Sequence, residues 1–182
     1  MNKPHRFFFI FFVFLSLSSL AAQSPGNVEI RFSYIRQAGS GSNQFAIWVE
    51  DAQARVIKTI YATRFTAQGG WERRPEAIPQ WVKQSGLAQM NQAQIDAFTG
   101  ATPPAGSLNY QWDGTDQKGA AVPPGTYQVY VEASLRGENR VVYQALVEIG
   151  GGSREIQAQA RYFGNSRGER NMIGPVTVRY KP

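Results

Sequence analysis

Alternating apolar and polar positions run through most of the chain and predict a protein built mainly of β-strands. In the segment 28–35 every second side chain is apolar, namely Val28, Ile30, Phe32 and Tyr34. Further strand patterns lie at 43–50, 55–65, 109–112, 126–135, 140–149, 155–163 and 176–180. Turn sequences such as RGEN at 136–139 separate these short segments. The pattern predicts an all-β fold of the antiparallel sandwich type.

The segment 69–106 does not alternate and instead predicts two short helices. Pro79 suits the first position of a helix, and Gly86 suits the position just past its end. The second helix begins at a capping box, because Asn91 can cap it and Gln94 stands three residues further on. A helical insert in the sandwich is therefore expected at about 71–100.

The end of the second predicted helix places a threonine on a loop. Gly100 is expected to stop the helix, since glycine readily adopts the left-handed conformation found at helix C-termini. Thr102 follows closely, and Pro103 disfavours a helical conformation for it. The Thr102 hydroxyl is therefore predicted to lie on an extended surface loop.

The N-terminal segment has the layout of a secretory signal peptide. Two basic residues precede an apolar run at 7–15, and small residues follow as far as Ala22. That run is shorter than the roughly 20 residues that cross a membrane as a helix. We expect residues 1–22 to be removed, leaving residues 23–182 as a single periplasmic β-sandwich domain that does not itself span the membrane.

The histidine and cysteine content of the chain limits the catalytic and metal-binding sites that it can form. The chain has no cysteine, and its one histidine, His5, lies in the predicted signal peptide. A mature chain without either residue excludes serine–histidine and cysteine–histidine catalysis, zinc sites of the histidine or cysteine type, and histidine-held haem. Loss of Lys3 and Arg6 lowers the net charge from +6 to +4. The remaining basic residues are scattered, so no nucleic-acid partner is expected.

The loop threonine belongs to a motif. Residues 96–102 read Asp-Ala-Phe-Thr-Gly-Ala-Thr, which resembles the D-x-x-S/T-G-A-S/T acceptor motif of proteins that carry covalently bound flavin mononucleotide (FMN). The resemblance implies that the last hydroxyl, on Thr102, forms a phosphoester with FMN. It also implies a partner, the extracytoplasmic flavin transferase, which uses a magnesium-bound flavin dinucleotide as donor. The other motif positions are Asp96, Thr99, Gly100 and Ala101.

One feature after the motif departs from many acceptors of this kind. Those acceptors often continue with further hydroxyl residues, whereas this chain continues with Pro103, Pro104 and Ala105. The small Gly100 and Ala101 leave little bulk to obstruct the approach of the hydroxyl to a phosphorus atom.

Two wider resemblances extend over the chain. Nearly all of the predicted mature chain resembles the domain-of-unknown-function family twenty-two seventy-one, predicted periplasmic bacterial proteins, in NQFAIWVED, TRFTAQGGW, RRPEAIPQW, TGATPPAG, WDGTDQKGAAVPPGTY and NMIGPVTVRY. That family is associated with extracytoplasmic flavin and membrane redox systems, and it implies no particular reaction. The segment 110–133 is similar to the immunoglobulin-like module of flagellar hook-capping proteins, which implies an immunoglobulin-like sandwich. Asp113 and Asp116 within it are predicted to form Asx-type turns rather than a calcium site.

Further candidates flank the helical insert. Trp71 could stack on a flavin ring and Arg74 could bind phosphate, although burial in the core and simple solvation are the more common roles of such residues. Arg64, Arg73 and Trp81 allow the same two readings. Three acidic residues in this region would suit glycoside hydrolysis if they met in space, namely Glu72, Glu76 and Asp96.

Taken together, the residues lead to one favoured function and two alternatives. The favoured hypothesis is a periplasmic electron carrier with FMN on Thr102, which exchanges electrons with membrane or periplasmic redox proteins and is not an enzyme with its own substrate. The first alternative is a non-catalytic immunoglobulin-like binding or scaffolding module. The second is a small hydrolase that uses carboxylates.

Overall fold

Two β-sheets face each other across an apolar core, which confirms the predicted β-sandwich. The computed structural model describes residues 25–38, 43–135, 139–164 and 171–182. Residues 1–24, which include the predicted signal peptide, residues 39–42, residues 136–138 of the predicted turn and residues 165–170 lie outside the described residues. Strands are numbered β1 to β10 in chain order, and helices α1 to α3.

The two sheets differ in size. The smaller has the strand order β5 (Gly106–Trp112), β1 (Asn27–Tyr34), β10 (Thr177–Lys181) and β8 (Arg154–Gln157). The larger has the order β4 (Thr99–Gly100), β3 (Val56–Thr63), β2 (Gln44–Glu50), β6 (Gly125–Ser134), β7 (Arg140–Ile149) and β9 (Gln159–Phe163). Neighbouring strands pair antiparallel, except that β3 and β4 run parallel.

The main core lies between the sheets and follows the predicted alternation. Every second residue of β1, from Val28 to Tyr34, is buried there. Trp112 lies at the end of β5 and meets Tyr127 of β6 edge-on, with ring centroids 5.3 Å apart. These two aromatic residues of the segment 110–133 therefore pack together in the sandwich.

One predicted strand is wrong, because the segment 155–163 forms two strands in different sheets. Strand β8 pairs with β10 in the smaller sheet, and β9 pairs with β7 in the larger. Ala158 lies between them, is buried, and donates its backbone N–H to the carbonyl of Val176 at 2.8 Å. The chain crosses from one sheet to the other at this small residue.

The helical insert covers the outer face of the larger sheet. It contains an irregular turn at Thr66–Gly70, then α1 (Trp71–Arg73), α2 (Pro79–Ser85), a 3₁₀ turn at Leu87–Gln89 and α3 (Gln92–Asp96). A second apolar cluster forms where the insert meets the sheet, from Ala46, Trp48, Ala62, Ala67, Ile78, Trp81, Leu87 and Phe98. Strand β2 is consequently buried on both faces along its whole length.

The helix boundaries confirm most of the capping predictions. Pro79 is the first residue of α2, and Gly86 ends that helix in the left-handed conformation with φ 67°. Asn91 and Gln94 make both hydrogen bonds of the predicted capping box. The prediction for Gly100 is wrong: α3 ends at Asp96, and Gly100 belongs to strand β4.

Buried polar groups hold the insert on the sheet. The carboxylate of Glu132 on β6 is fully buried and accepts the backbone N–H groups of Gln80 at 3.2 Å and Trp81 at 2.7 Å. Ser134 Oγ accepts the N–H of Ile78 at 2.8 Å. These three donors lie at the start of α2, where the helix itself offers no acceptor.

Candidate functional site

The motif loop lies at the edge of the larger sheet. Residues 99–105 are called the acceptor loop below; they begin with the two residues of β4 and continue without regular structure to β5. In the parallel pair, Thr99 lies opposite Ala62 and Gly100 opposite Thr63. The backbone N–H of Ala62 donates to the carbonyl of Phe98 at 3.1 Å. The loop is therefore attached to the sandwich through strand β3.

Gly100 is needed for close packing rather than for ending a helix. A Cβ atom at this position would lie 2.4 Å from Cε2 of the Tyr61 ring. The same tyrosine donates its hydroxyl to the carbonyl of Ala101 at 2.6 Å. Tyr61 thus contacts two consecutive motif residues, and only a residue without a side chain fits against its ring.

Tyr61 itself is held by an aromatic cluster at this end of the sandwich. Its ring centroid lies 5.0 Å from that of Phe45 and 4.9 Å from that of Tyr110. Burial raises the pKa of Tyr61 to about 12. The hydroxyl therefore keeps its proton at neutral pH and remains a donor to Ala101.

The two threonines of the motif have different surroundings. Thr99 is partly buried, and its Oγ1 donates to the carbonyl of Ile95 at 2.6 Å, near the end of α3. Thr102 is buried to a similar degree, but in the described part of the chain its hydroxyl has no hydrogen-bond partner. Of the two hydroxyls, only the one on Thr102 is therefore available to bind or react with another molecule.

Asp96 links the start of the motif to the irregular turn of the insert. Its Oδ1 accepts Nε2 of Gln68 at 3.1 Å and Nε2 of Gln92 at 2.7 Å. The side chain is exposed at the surface. The motif carboxylate therefore bridges the turn at 66–70 and helix α3.

The two weaker flavin-site candidates have different positions. Trp71 is partly buried and packs against the apolar cluster of the insert. Arg74 Nε pairs with Glu76 Oε1 at 3.1 Å, and the Arg74 guanidinium carbon lies 5.7 Å from the centroid of the Phe65 ring. Trp71 therefore contributes to the core of the insert, while Arg74 lies against an exposed aromatic ring.

Sequence reasoning missed two aromatic residues near the motif, Tyr61 and Phe65. Both occur in the segment 55–65, which reads as one strand, so their alternation signals packing only. The strand ends at Thr63, and Phe65 begins the helical turn with 37% of its surface exposed. The signal that was available is the presence of Arg64, Arg73 and Arg74 within nine positions of a single phenylalanine.

The acidic candidates have separate local partners. Glu76 pairs with Arg74, Asp96 accepts two glutamine side chains, and Glu72 is exposed on α1. Asp113 accepts the N–H of Thr115 at 3.1 Å, as an Asx turn requires. Asp116 likewise accepts the N–H groups of Lys118 and Ala120. Within the described ranges, no group of three or more histidine, cysteine or acidic side chains could hold a metal ion.

The fold and the site define a β-sandwich protein with a surface loop tied to its sheet edge. The chain belongs to the family described as "Predicted periplasmic protein (DUF2271)", whose model matches residues 26–165. That description agrees with the periplasmic location expected from the N-terminal sequence. No curated protein and no solved structure matches the chain. Among the residues described, no helix is long and apolar enough to cross a membrane.

Proposed function

We propose that the protein carries FMN through a phosphoester on Thr102 and acts as an electron carrier in an extracytoplasmic redox system. The observation that supports this most directly is the contrast within the motif. The Thr99 hydroxyl donates to the carbonyl of Ile95, whereas Thr102 is a partly exposed residue whose hydroxyl has no partner among the described residues. An acceptor must offer a hydroxyl that can enter the transferase, and Thr102 meets that requirement.

The attachment chemistry asks little of this chain. Thr102 Oγ1 would form a bond to the phosphorus of the FMN half of a flavin dinucleotide. The bond between the two phosphates of the dinucleotide would break, adenosine monophosphate would leave, and the hydroxyl proton would pass to a base of the transferase. Neither histidine nor cysteine of the acceptor is needed, in keeping with a chain that has no cysteine and one histidine, His5.

The residues around the acceptor loop fix the position of Thr102. Tyr61 holds the carbonyl of Ala101, and Gly100 lets the loop lie directly on the Tyr61 ring. Pro103 and Pro104 then restrict the backbone after Thr102. Bound flavin supplies reversible electron transfer, and a covalent link keeps it from being lost by diffusion outside the cytoplasm. The electrons would come from and pass to membrane or periplasmic redox proteins.

The test is the intact mass of the exported protein after co-expression with the flavin transferase. We expect the wild type and Thr102→Ser to gain the mass of one FMN phosphoester, and Thr102→Ala to gain nothing. Thr126→Ala is the matched control, because Thr126 is an exposed threonine outside the motif and its loss should leave loading intact.

Two results would contradict the proposal. One is an unmodified wild type beside a known acceptor that is modified in the same cells. The other is full loading of Thr102→Ala, which would place the flavin elsewhere. In the first case the non-catalytic binding or scaffolding module becomes the leading hypothesis.

A further inference from the structure

An exposed phenylalanine lies among arginines directly after strand β3. Phe65 has 37% of its surface exposed, although phenylalanine is usually buried. The guanidinium carbons of Arg73 and Arg74 lie 5.5 and 5.7 Å from its ring centroid. Both distances are within the range of cation–π attraction. The ring is therefore held at the surface by two positive charges.

The strand register brings this ring to the same end of the sheet as the acceptor loop. Thr63 of β3 lies opposite Gly100 of β4, and the two strands run parallel. Phe65 and Thr102 each follow two residues later, so both lie past the same end of the pair. A second contact joins the regions, because Gln68 of the irregular turn donates to Asp96 of the motif at 3.1 Å.

Positive charge surrounds the same place. Arg64 is exposed, and its charge acts on the phenol of Tyr61, whose hydroxyl binds the Ala101 carbonyl. Arg73 is exposed as well. Neither Arg64 nor Arg73 has an ion-pair partner in the described part of the chain, whereas Arg74 pairs with Glu76. Two arginines beside the loop are thus open to an anionic group.

We infer that Phe65, Arg64 and Arg73 form the surface that receives the FMN group attached to Thr102. The inference rests on the proposed function and names the residues of this chain that the flavin contacts. Phe65 supplies a partly exposed aromatic ring, against which a flat aromatic ring can pack. The arginines suit the phosphoester and the negative charge that a flavin ring gains on reduction. A carrier needs its ring near the surface for exchange with partners, and this site is exposed.

The first test places an electron-donating ring at the inferred contact. Wild type, Phe65→Trp and Leu146→Trp are loaded with FMN, and intact mass confirms one FMN on each. Leu146 is the matched control, since it is an exposed large side chain on β7, four strands away from β4 and hence roughly 19 Å along the sheet. We expect Phe65→Trp to lose most of the flavin fluorescence of the wild type, because a stacked tryptophan quenches it, and Leu146→Trp to keep it.

The second test measures the midpoint potential of the bound flavin. Arg64→Gln and Arg73→Gln should both lower it, because each removes a positive charge that stabilises the reduced, more negative flavin. Arg154→Gln on β8 is the control and should leave the potential unchanged. A change in either test that the control does not share supports the contact concerned, the ring or the charges.

The outcomes separate this inference from the proposed function. If all variants are loaded but fluorescence and potential both match the wild type, the surface at Phe65 is overturned and the carrier function stands. If the wild type takes no FMN, the mass spectrum shows it at once, and both are overturned.

Discussion

The two faces of the larger sheet are covered in different ways. The face toward the smaller sheet builds a core of apolar side chains that is closed by strand pairing and aromatic contacts. The outer face meets the helical insert, and there buried polar groups accompany the apolar cluster. The acceptor loop leaves the insert and returns to the sheet at β4. The sandwich is therefore stabilised mainly by burial of apolar side chains. The insert is stabilised by burial of apolar side chains together with specific hydrogen bonds.

This difference shows how one sheet serves two purposes. Strand β2 contributes Phe45, Ile47 and Val49 to the main core and Ala46 and Trp48 to the cluster under the insert. A substitution on the face toward the main core should lower the stability of the whole fold. A substitution on the face under the insert should loosen the insert and the acceptor loop that follows it. The four predictions below test that separation.

The largest effects are expected from removing one buried tryptophan on each side. Trp112 in the main core and Trp81 under the insert are both fully buried, and each indole N–H has a hydrogen-bond partner. Replacing either with alanine should lower the free energy of unfolding by about 3–5 kcal/mol. Urea denaturation followed by circular dichroism measures this loss.

Limited proteolysis of the same two variants distinguishes the faces. Trp81→Ala should speed cleavage between residues 64 and 98 under native conditions, because the insert loses its central packing residue. Trp112→Ala should not speed cleavage of that segment relative to the rest of the chain. Equal cleavage patterns for the two variants would show that the insert and the sandwich open as one unit.

A smaller effect is expected from Glu132, and it depends on pH. Burial raises the pKa of Glu132 from 4.5 to about 7. As the pH rises, the unfolded chain releases this proton before the folded chain does. The stability that this group contributes is therefore complete below pH 4.5, falls between pH 4.5 and about 7, and stays lost above that range, a total of about 3 kcal/mol.

The measurement is the free energy of unfolding across that pH range for wild type and Glu132→Gln. The free energy of unfolding of the wild type minus that of Glu132→Gln should fall as the pH rises from 4.5 to 7, and it should stay constant above pH 7. Glu148→Gln, an exposed glutamate on β7, is the control and should produce no such slope. A flat difference for Glu132→Gln would mean that this carboxyl is ionised at all these pH values in the folded protein.

A third prediction concerns the contact between the acceptor loop and the sheet. Gly100→Ala would bring a Cβ to 2.4 Å from the Tyr61 ring, so the loop or the ring must move. We expect a loss of about 1–3 kcal/mol in the free energy of unfolding, as for other overpacked sites, and reduced FMN loading by intact mass. Gly152→Ala, where a Cβ meets nothing within 4 Å, should change neither.

The smallest effect is expected from the hydroxyl of Tyr61. Tyr61→Phe keeps the ring but removes the 2.6 Å hydrogen bond to the Ala101 carbonyl. The free energy of opening the acceptor loop should fall by about 0.5–1.5 kcal/mol, with little effect on the rest of the fold. The measurement is hydrogen exchange at the Ala62 amide, which bonds to Phe98 and should exchange faster in the variant. Tyr130→Phe is the control, because it removes the hydroxyl of a tyrosine on β6 that donates to Gln128 instead, and protection at Ala62 should survive there.

Much of the fold could be predicted because period and capping are local properties. The alternation of β1 and the capping box at Asn91 depend on residues a few positions apart, and both predictions are confirmed. Prediction failed where distant parts of the chain decide the outcome. Strand β2 is buried on both faces because the insert returns to cover it, and the segment 155–163 divides at Ala158 because its two halves pair with strands of different sheets.

The site divides in the same way. The motif from Asp96 to Thr102 can be read from the sequence because its residues are consecutive. The contact of Tyr61 with Ala101 cannot, since the two are 40 positions apart and meet only through the parallel pairing of β3 and β4. Gly100 illustrates the consequence: a helix stop explains it locally, but a tyrosine ring from another strand is what requires it.

The brevity of strand β4 has a consequence for how often the loop opens. Besides the parallel pairing of Thr99 and Gly100 with β3, two hydrogen bonds hold the loop to the sheet, from the Ala62 amide to Phe98 and from the Tyr61 hydroxyl to Ala101. At about 1 kcal/mol for each hydrogen bond, detaching the loop should cost about 4 kcal/mol. The loop would then be released in on the order of one molecule in a thousand while the strand pairs of β6 and β7 stay intact. A modifying enzyme could capture the threonine from this open population without waiting for the protein to unfold.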